Sequence, residues 1–202
     1  MKRRIANLRM KGVELNSHHP KLYIGYETIA AMTAVLLLDR DNRVIFCFLA
    51  ALLHELGHLL MMVLCGVSVR EIRLRLFDVL IKADEAPSVR ADVLITLGGV
   101  AVNFLFAVLL CPVGMKYALP HLALGVFNLL PVMSLDGGHL LAIILDRRFA
   151  PRTTAITLTI TTFVLSVPLM TAGLYVLFSG SCNYSLLIIS IYLIVLLFMK
   201  NR

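Results

Sequence analysis

Hydrophobic and polar positions divide the chain into six long apolar stretches separated by short charged ones. They run from Leu22 to Asp39, Val44 to Gly66, Ala91 to Val113, Tyr117 to Leu145, Thr153 to Phe178 and Tyr184 to Met199. A helix needs about 20 apolar residues to cross about 30 Å of hydrocarbon, and most of these stretches come near that length. The fourth is interrupted at Pro131, and the fifth contains Pro168. The pattern predicts an all-α polytopic membrane protein of about six transmembrane helices, forming a single domain over residues 1–202. One segment leaves the helical period. From Val69 to Leu76 apolar and charged residues alternate, which is strand periodicity. Phe77-Asp78 can turn the chain and Val79 to Lys82 can return it. A small β-hairpin between the second and third spans is expected, with an ordinary loop as the alternative. An edge strand carrying Leu74 and Leu76 could hold an extended substrate by β-augmentation.

Composition changes this picture little and charge sharpens it. Apolar residues make up 59% of the chain, charged residues 15%, and tryptophan is absent, a membrane profile. The net charge of +7 is of a kind that nucleic-acid binders carry, but the basic residues flank apolar runs and form no single patch. Nucleic acid is therefore not an expected partner; the lipid bilayer is. Lys2-Arg3-Arg4 is followed by a polar stretch, so no signal peptide is read there. With six spans and both termini in the cytoplasm, sixteen of the 19 lysines and arginines fall inside and only Arg40, Arg43 and Lys116 outside. Positive charge favours the cytoplasmic side, so this count supports the topology. The basic segment from Met1 to Lys21 is expected to lie on an anionic leaflet, at about 1 kcal/mol per basic residue near the surface. His18 and His19 within it read as inert.

The second span carries His54-Glu55-Leu56-Gly57-His58. Positions i and i+4 of a helix share a face, so the two imidazoles can grip one Zn²⁺, with the neighbouring glutamate as general base. Two histidines and a glutamate at membrane depth are costly without such a purpose. His54 lies ten residues past Val44, or roughly 15 Å at helical rise, near mid-membrane. In the fourth span, Asn128-Leu129-Leu130-Pro131 leads to Asp136-Gly137-Gly138-His139, where a proline and two glycines break the helix beside a carboxylate. Asp136 is the natural third ligand; a helix cap is its plainer reading.

Weaker signals surround these two motifs. Cys47, Cys65, Cys111 and Cys182 show no C-x-x-C pair. Cys47 and Cys65 share nearly one face with the histidines, but packing is preferred to sulfur ligation. Pairing of Cys111 with Cys182 is an open alternative. Thr153, Thr157 and Thr161 share a face of the fifth span, beside a proline that either kinks the helix or hinges a gate.

His54 to His58 with Asn128, Pro131, Asp136 and Gly137 resembles the site-2 protease family of intramembrane zinc metalloproteases, peptidase family M50. Gly98-Gly99-Val100-Ala101-Val102-Asn103 is similar to a glycine-glycine-x-x-x-asparagine element of that family. The resemblance covers about Val44 to Leu145. It implies Zn²⁺ held by His54, His58 and Asp136, with Glu55 as catalytic base and Asn128 orienting the substrate strand. It also implies a membrane-anchored protein substrate, such as a sigma-factor precursor or an anti-sigma factor. Asn103 reads either as an oxyanion donor or, preferably, as packing glue beside the glycines. No loop is long enough for the PDZ domain of many members, and only three residues follow Met199 where the sporulation-type branch often carries a CBS sensor. The compact layout is most similar to that branch, and a separate regulatory membrane protein becomes plausible. Val100 and His139 stand where the family often has proline and a basic residue. Two other classes compete with the peptidase: a catalytically silent scaffold or chaperone of the same fold, and a metal-ion transporter. The intact glutamate argues against the first, and the clustering of the motifs at one depth against the second.

Overall fold

The computed structural model describes residues 21–26, 28–30, 33, 37, 39, 43–74 and 79–178. In chain order the elements are β1 (Lys21–Ile24), α1 (Arg43–Leu64), β2 (Val69–Leu74), β3 (Val79–Ala83), α2 (Val89–Leu110), α3 (Met115–Asn128), α4 (Asp136–Leu145) and α5 (Pro151–Phe178).

Local chemistry sets the helix ends. The Asp39 carboxylate accepts the Val44 N–H at 2.7 Å, at the start of α1. That helix closes in a Schellman motif. Gly66 takes φ +72°, the Val67 N–H donates to the Met62 carbonyl at 2.8 Å, and the Gly66 N–H to Val63 at 3.1 Å. Ser88 caps α2 by accepting the Ala91 N–H at 3.2 Å. Pro151 occupies the first position of α5, where its missing N–H costs nothing.

Three described helices are long and apolar enough to cross a bilayer: Val44–Leu64, Val89–Leu110 and Pro151–Tyr175. This makes the chain a multi-pass membrane protein: among the described residues, the second, third and fifth of about six expected spans are long and apolar enough to cross. The fourth expected span is two short helices, α3 of 14 residues and α4 of 10. At helical rise these reach only about 21 and 15 Å. The first expected span does not begin at Leu22, because Leu22 to Ile24 belong to β1. Most of that span and all of the sixth lie outside the described residues, as do His18 and His19.

The helices are turned inside out relative to a soluble bundle. On α1 the buried residues are Ala50, His54 and Gly57, while Leu49, Leu52, Leu56, Leu60 and Val63 face outward. Lipid tails solvate large aliphatic side chains as well as a core does, so small and polar residues take the interior. α1 and α2 meet backbone to backbone. A Cβ on Gly57 would stand 2.5 Å from the Gly98 carbonyl oxygen, and one on Gly98 would stand 2.6 Å from that of Gly57. Only a pair of glycines permits this approach.

The expected hairpin is present, with Leu74 paired to Val79 across β2 and β3. Alternation along β2 breaks at Arg70-Glu71, where two charges adjoin, and the register shifts between Val69 and Glu71. A bulge of this kind changes which face the following residues take. Glu71 stands opposite Lys82, 3.2 Å away. The Arg73 guanidinium, hydrogen-bonded to Glu71 and aided by Lys82, holds the Glu71 carboxyl below the usual carboxylate range. Arg70 pairs with Asp84. The third strand was not legible: β1 joins β2 in parallel, giving the order β1-β2-β3. Arg73 rests over the Tyr23 ring, 5.3 Å from its centroid.

Candidate metal centre

His54 and His58 project from the buried side of α1, one turn apart. Their Nε2 atoms are 3.1 Å from each other. Asp136, the first residue of α4, brings Oδ2 to 3.2 Å from His54 Nε2 and 3.3 Å from His58 Nε2. Among the described residues this is the only cluster of three or more such side chains able to hold a metal ion. Cys47 and Cys65 take no part in it, and both are free thiols, as is Cys111. Cys182 lies outside the described residues.

Two features of the donor set fit a zinc ion. Asp136 Oδ2 is buried and has no hydrogen-bond partner. It faces two ring nitrogens at 3.2 and 3.3 Å; with both Nε2 atoms unprotonated, three lone pairs would converge, an arrangement a cation relieves. Ligands of tetrahedral Zn²⁺ at about 2.0–2.1 Å lie about 3.3 Å apart, and the observed separations run from 3.1 to 3.3 Å. The buried cluster is geometrically compatible with a catalytic zinc site.

Surrounding groups fix the rings. His58 Nδ1 donates to the Ile95 carbonyl at 2.8 Å, which leaves Nε2 free of a proton and turned to the cluster. His54 Nδ1 lies 3.1 Å from Asn103 Nδ2. Gly99 is the floor beneath both rings: a Cβ there would strike His58 Nε2 and come within 2.7 Å of His54 Cε1. The glycine pair seen in the sequence therefore serves two contacts, Gly98 to the facing helix and Gly99 to the ligands.

The loop from Leu129 to Leu135 delivers the carboxylate. Val132 within it is fully buried. A Cβ on Gly137 would strike the Leu129 carbonyl, and one on Gly138 the Val132 carbonyl, so the start of α4 lies pressed against the loop. The Met133 N–H donates to Thr162 Oγ1 of α5 at 2.9 Å. Asp136 is not the cap of a helix begun at Gly137, because Leu135 holds the N-cap position. His139, one turn on, pairs with Asp92 of α2 at 3.1 Å.

The remaining site expectations fare differently. Glu55 is half-buried on α1, beside His54 in sequence. Asn128 ends α3 and its amide donates to the Leu124 carbonyl at 3.1 Å. Leu74 is not on an edge strand: β2 is the middle strand, and Leu74 pairs with Ile24 on one side and Val79 on the other. Its backbone is already used, which corrects the β-augmentation reading at that strand. Leu76 lies outside the described residues. The threonine face expected from Thr153, Thr157 and Thr161 is not the inward one. Thr154, Leu158, Thr162 and Ser166 are buried instead, one helical turn apart. Asn103, read from the sequence as packing glue or an oxyanion donor, instead meets His54; Thr162 and His121 carried no reading of their own, and a polar residue inside an apolar helix was the available signal.

Parts of the chain are similar to known proteins. Residues 113–169 match the model of peptidase family M50. Zinc metalloprotease MJ0392 of Methanocaldococcus jannaschii is 29% identical over 118 residues, which cover 52% of this chain and 34% of that protein. The chain thus matches about a third of the length of that curated relative. The solved structure of a site-2 protease from Methanocaldococcus jannaschii shares the fold, with a TM-score of 0.67 at 22% identity over 90% of each chain. The chain is thus similar to peptidase family M50 over residues 113–169, and to the solved site-2 protease in fold.

Proposed function

We propose that the protein is an intramembrane zinc endopeptidase that cuts a membrane-anchored protein within or next to its transmembrane segment. The observation that carries this reading is the convergence of three acceptor atoms from His54, His58 and Asp136 in the apolar layer. Zn²⁺ bound there supplies Lewis acidity, polarising a peptide carbonyl and making water acidic near neutral pH. Glu55 is the proton carrier: its carboxylate takes a proton from the attacking water and gives it to the leaving amine. Asn128 orients the substrate strand at the end of α3. With β2 paired on both sides, an extended substrate backbone has the outer edge of β3, from Val79 to Ala83, to add to. The substrate class is a tethered regulatory protein, such as a sigma-factor precursor or an anti-sigma factor. The sporulation-type branch, a separate membrane regulator and cytoplasmic termini belong to the same reading, the last supported by the distribution of basic residues.

Cleavage of a single-span model substrate by the purified full chain tests it. Glu55→Gln should keep zinc and lose turnover by about 10²-fold or more, whereas Asp136→Ala should lose both. Turnover of Glu55→Gln at the wild-type rate, or a wild-type chain that neither binds zinc nor cuts, would overturn the proposal.

A further inference from the structure

Asn103 lies wholly buried between two imidazoles. One end of its amide is 3.1 Å from His54 Nδ1 of α1, and the other is 3.2 Å from His121 Nδ1 of α3. His121 is 3% exposed, and its ring stacks on Phe106 with centroids 5.4 Å apart. Three helices thus contribute one continuous polar chain, and it ends on a ring whose far nitrogen faces the metal cluster.

Proton bookkeeping gives that chain a direction. A neutral imidazole carries one N–H. For His54 to offer Nε2 to a cation, its proton must sit on Nδ1 and be donated outward. Asn103 faces that proton and must present its oxygen. Its NH₂ then points at His121, whose Nδ1 must accept. As placed, the amide nitrogen faces His54 and the oxygen faces His121; a half-turn about Cβ–Cγ exchanges the two without moving either position and gives the required sense. The backbone carbonyl of Ile95 can only accept, and it fixes His58 unaided. An amide can face His54 either way round, so His54 needs a further group to select the sense.

We propose that Asn103 and His121 are positioning residues of the metal centre: together they hold His54 with a proton-free Nε2 aimed at the cluster. The proposal rests on the zinc-centre reading above. It differs from simple interhelical glue, which would hold the helices together without regard to which nitrogen of His54 bears the proton.

The test uses the full chain in detergent. Zinc affinity is measured by competition with a chromogenic chelator, and the ligand-field spectrum of the Co²⁺-loaded protein is recorded alongside. Asn103→Leu should weaken zinc binding roughly 10- to 100-fold and alter the Co²⁺ bands. Asn103→Asp, whose carboxylate still accepts the Nδ1 proton, should return affinity to within a few-fold of wild type. His121→Phe keeps the ring stacked on Phe106 but removes the acceptor, and should weaken binding several-fold. Wild-type affinity and spectrum in both Asn103→Leu and His121→Phe would overturn the proposal. Should Asn103→Leu fail to fold, the same result in His121→Phe alone overturns it. Failure of the zinc reading itself looks different: the wild-type chain would bind no zinc, or Asp136→Ala would bind it as tightly.

Discussion

At Gly99 the absence of one carbon makes room for a pair of ligands. Neither ring can retreat, since His58 is tied to Ile95 and His54 to Asn103. Gly99→Ala is therefore expected to force the rings or the helices apart, at about 1–3 kcal/mol of overpacking, and to weaken zinc binding more than tenfold. Gly125→Ala is the control. A Cβ there meets Asn103 Cβ at an ordinary 3.4 Å, so metal content should hold. Zinc content and melting temperature of the two purified variants check both expectations. The ligand triad and the close approach of the glycines were legible from residue type and spacing. The partners of the ligands were not, because a hydrogen bond such as His54 to Asn103 joins residues 49 positions apart and leaves no periodic trace.

At the scale of elements, the broken fourth span and α5 form one device. The loop before Asp136 hangs from Thr162, whose hydroxyl accepts the Met133 N–H at 2.9 Å and donates to the Leu158 carbonyl at 2.7 Å. Thr162→Val removes the acceptor and strands that N–H, at about 1–3 kcal/mol. The loop should loosen, and Asp136 with it. Lower thermal stability and weaker zinc binding are expected, both recovered in Thr162→Ser, by calorimetry and chelator competition. Pro131 and the glycine pair mark in the sequence that the helix breaks here. They did not say that the two halves would be too short to cross separately, since hydropathy averages over the loop. The inward face of α5 was not legible for a related reason: Thr153, Thr154, Thr157, Thr159, Thr161 and Thr162 spread over several stripes of its first half, and composition alone does not say which stripe meets the loop.

The molecule as a whole joins a metal centre to helices that bury little besides small and polar residues. A cation bound to the folded chain alone stabilises it by mass action, about 4 kcal/mol at a thousand times its dissociation constant. Stripping zinc with a chelator should therefore lower the melting temperature of the wild type markedly and that of Asp136→Ala hardly at all. A scan with and without chelator decides this. Fold class and hairpin were readable because long apolar runs and two-residue alternation are local signals. The parallel strand β1 was hidden because its partner lies 50 positions away, from Lys21 to Glu71, with a membrane helix between.

That parallel pairing has a consequence for accessibility. Tyr23 and Arg73 are register partners although α1 stands between them in the chain. Whatever route the polypeptide takes from one to the other, it must leave and re-enter the same aqueous compartment. Cysteines placed singly at these two positions should answer alike to a membrane-impermeant thiol reagent, both labelled from one face of sealed vesicles and neither from the opposite one.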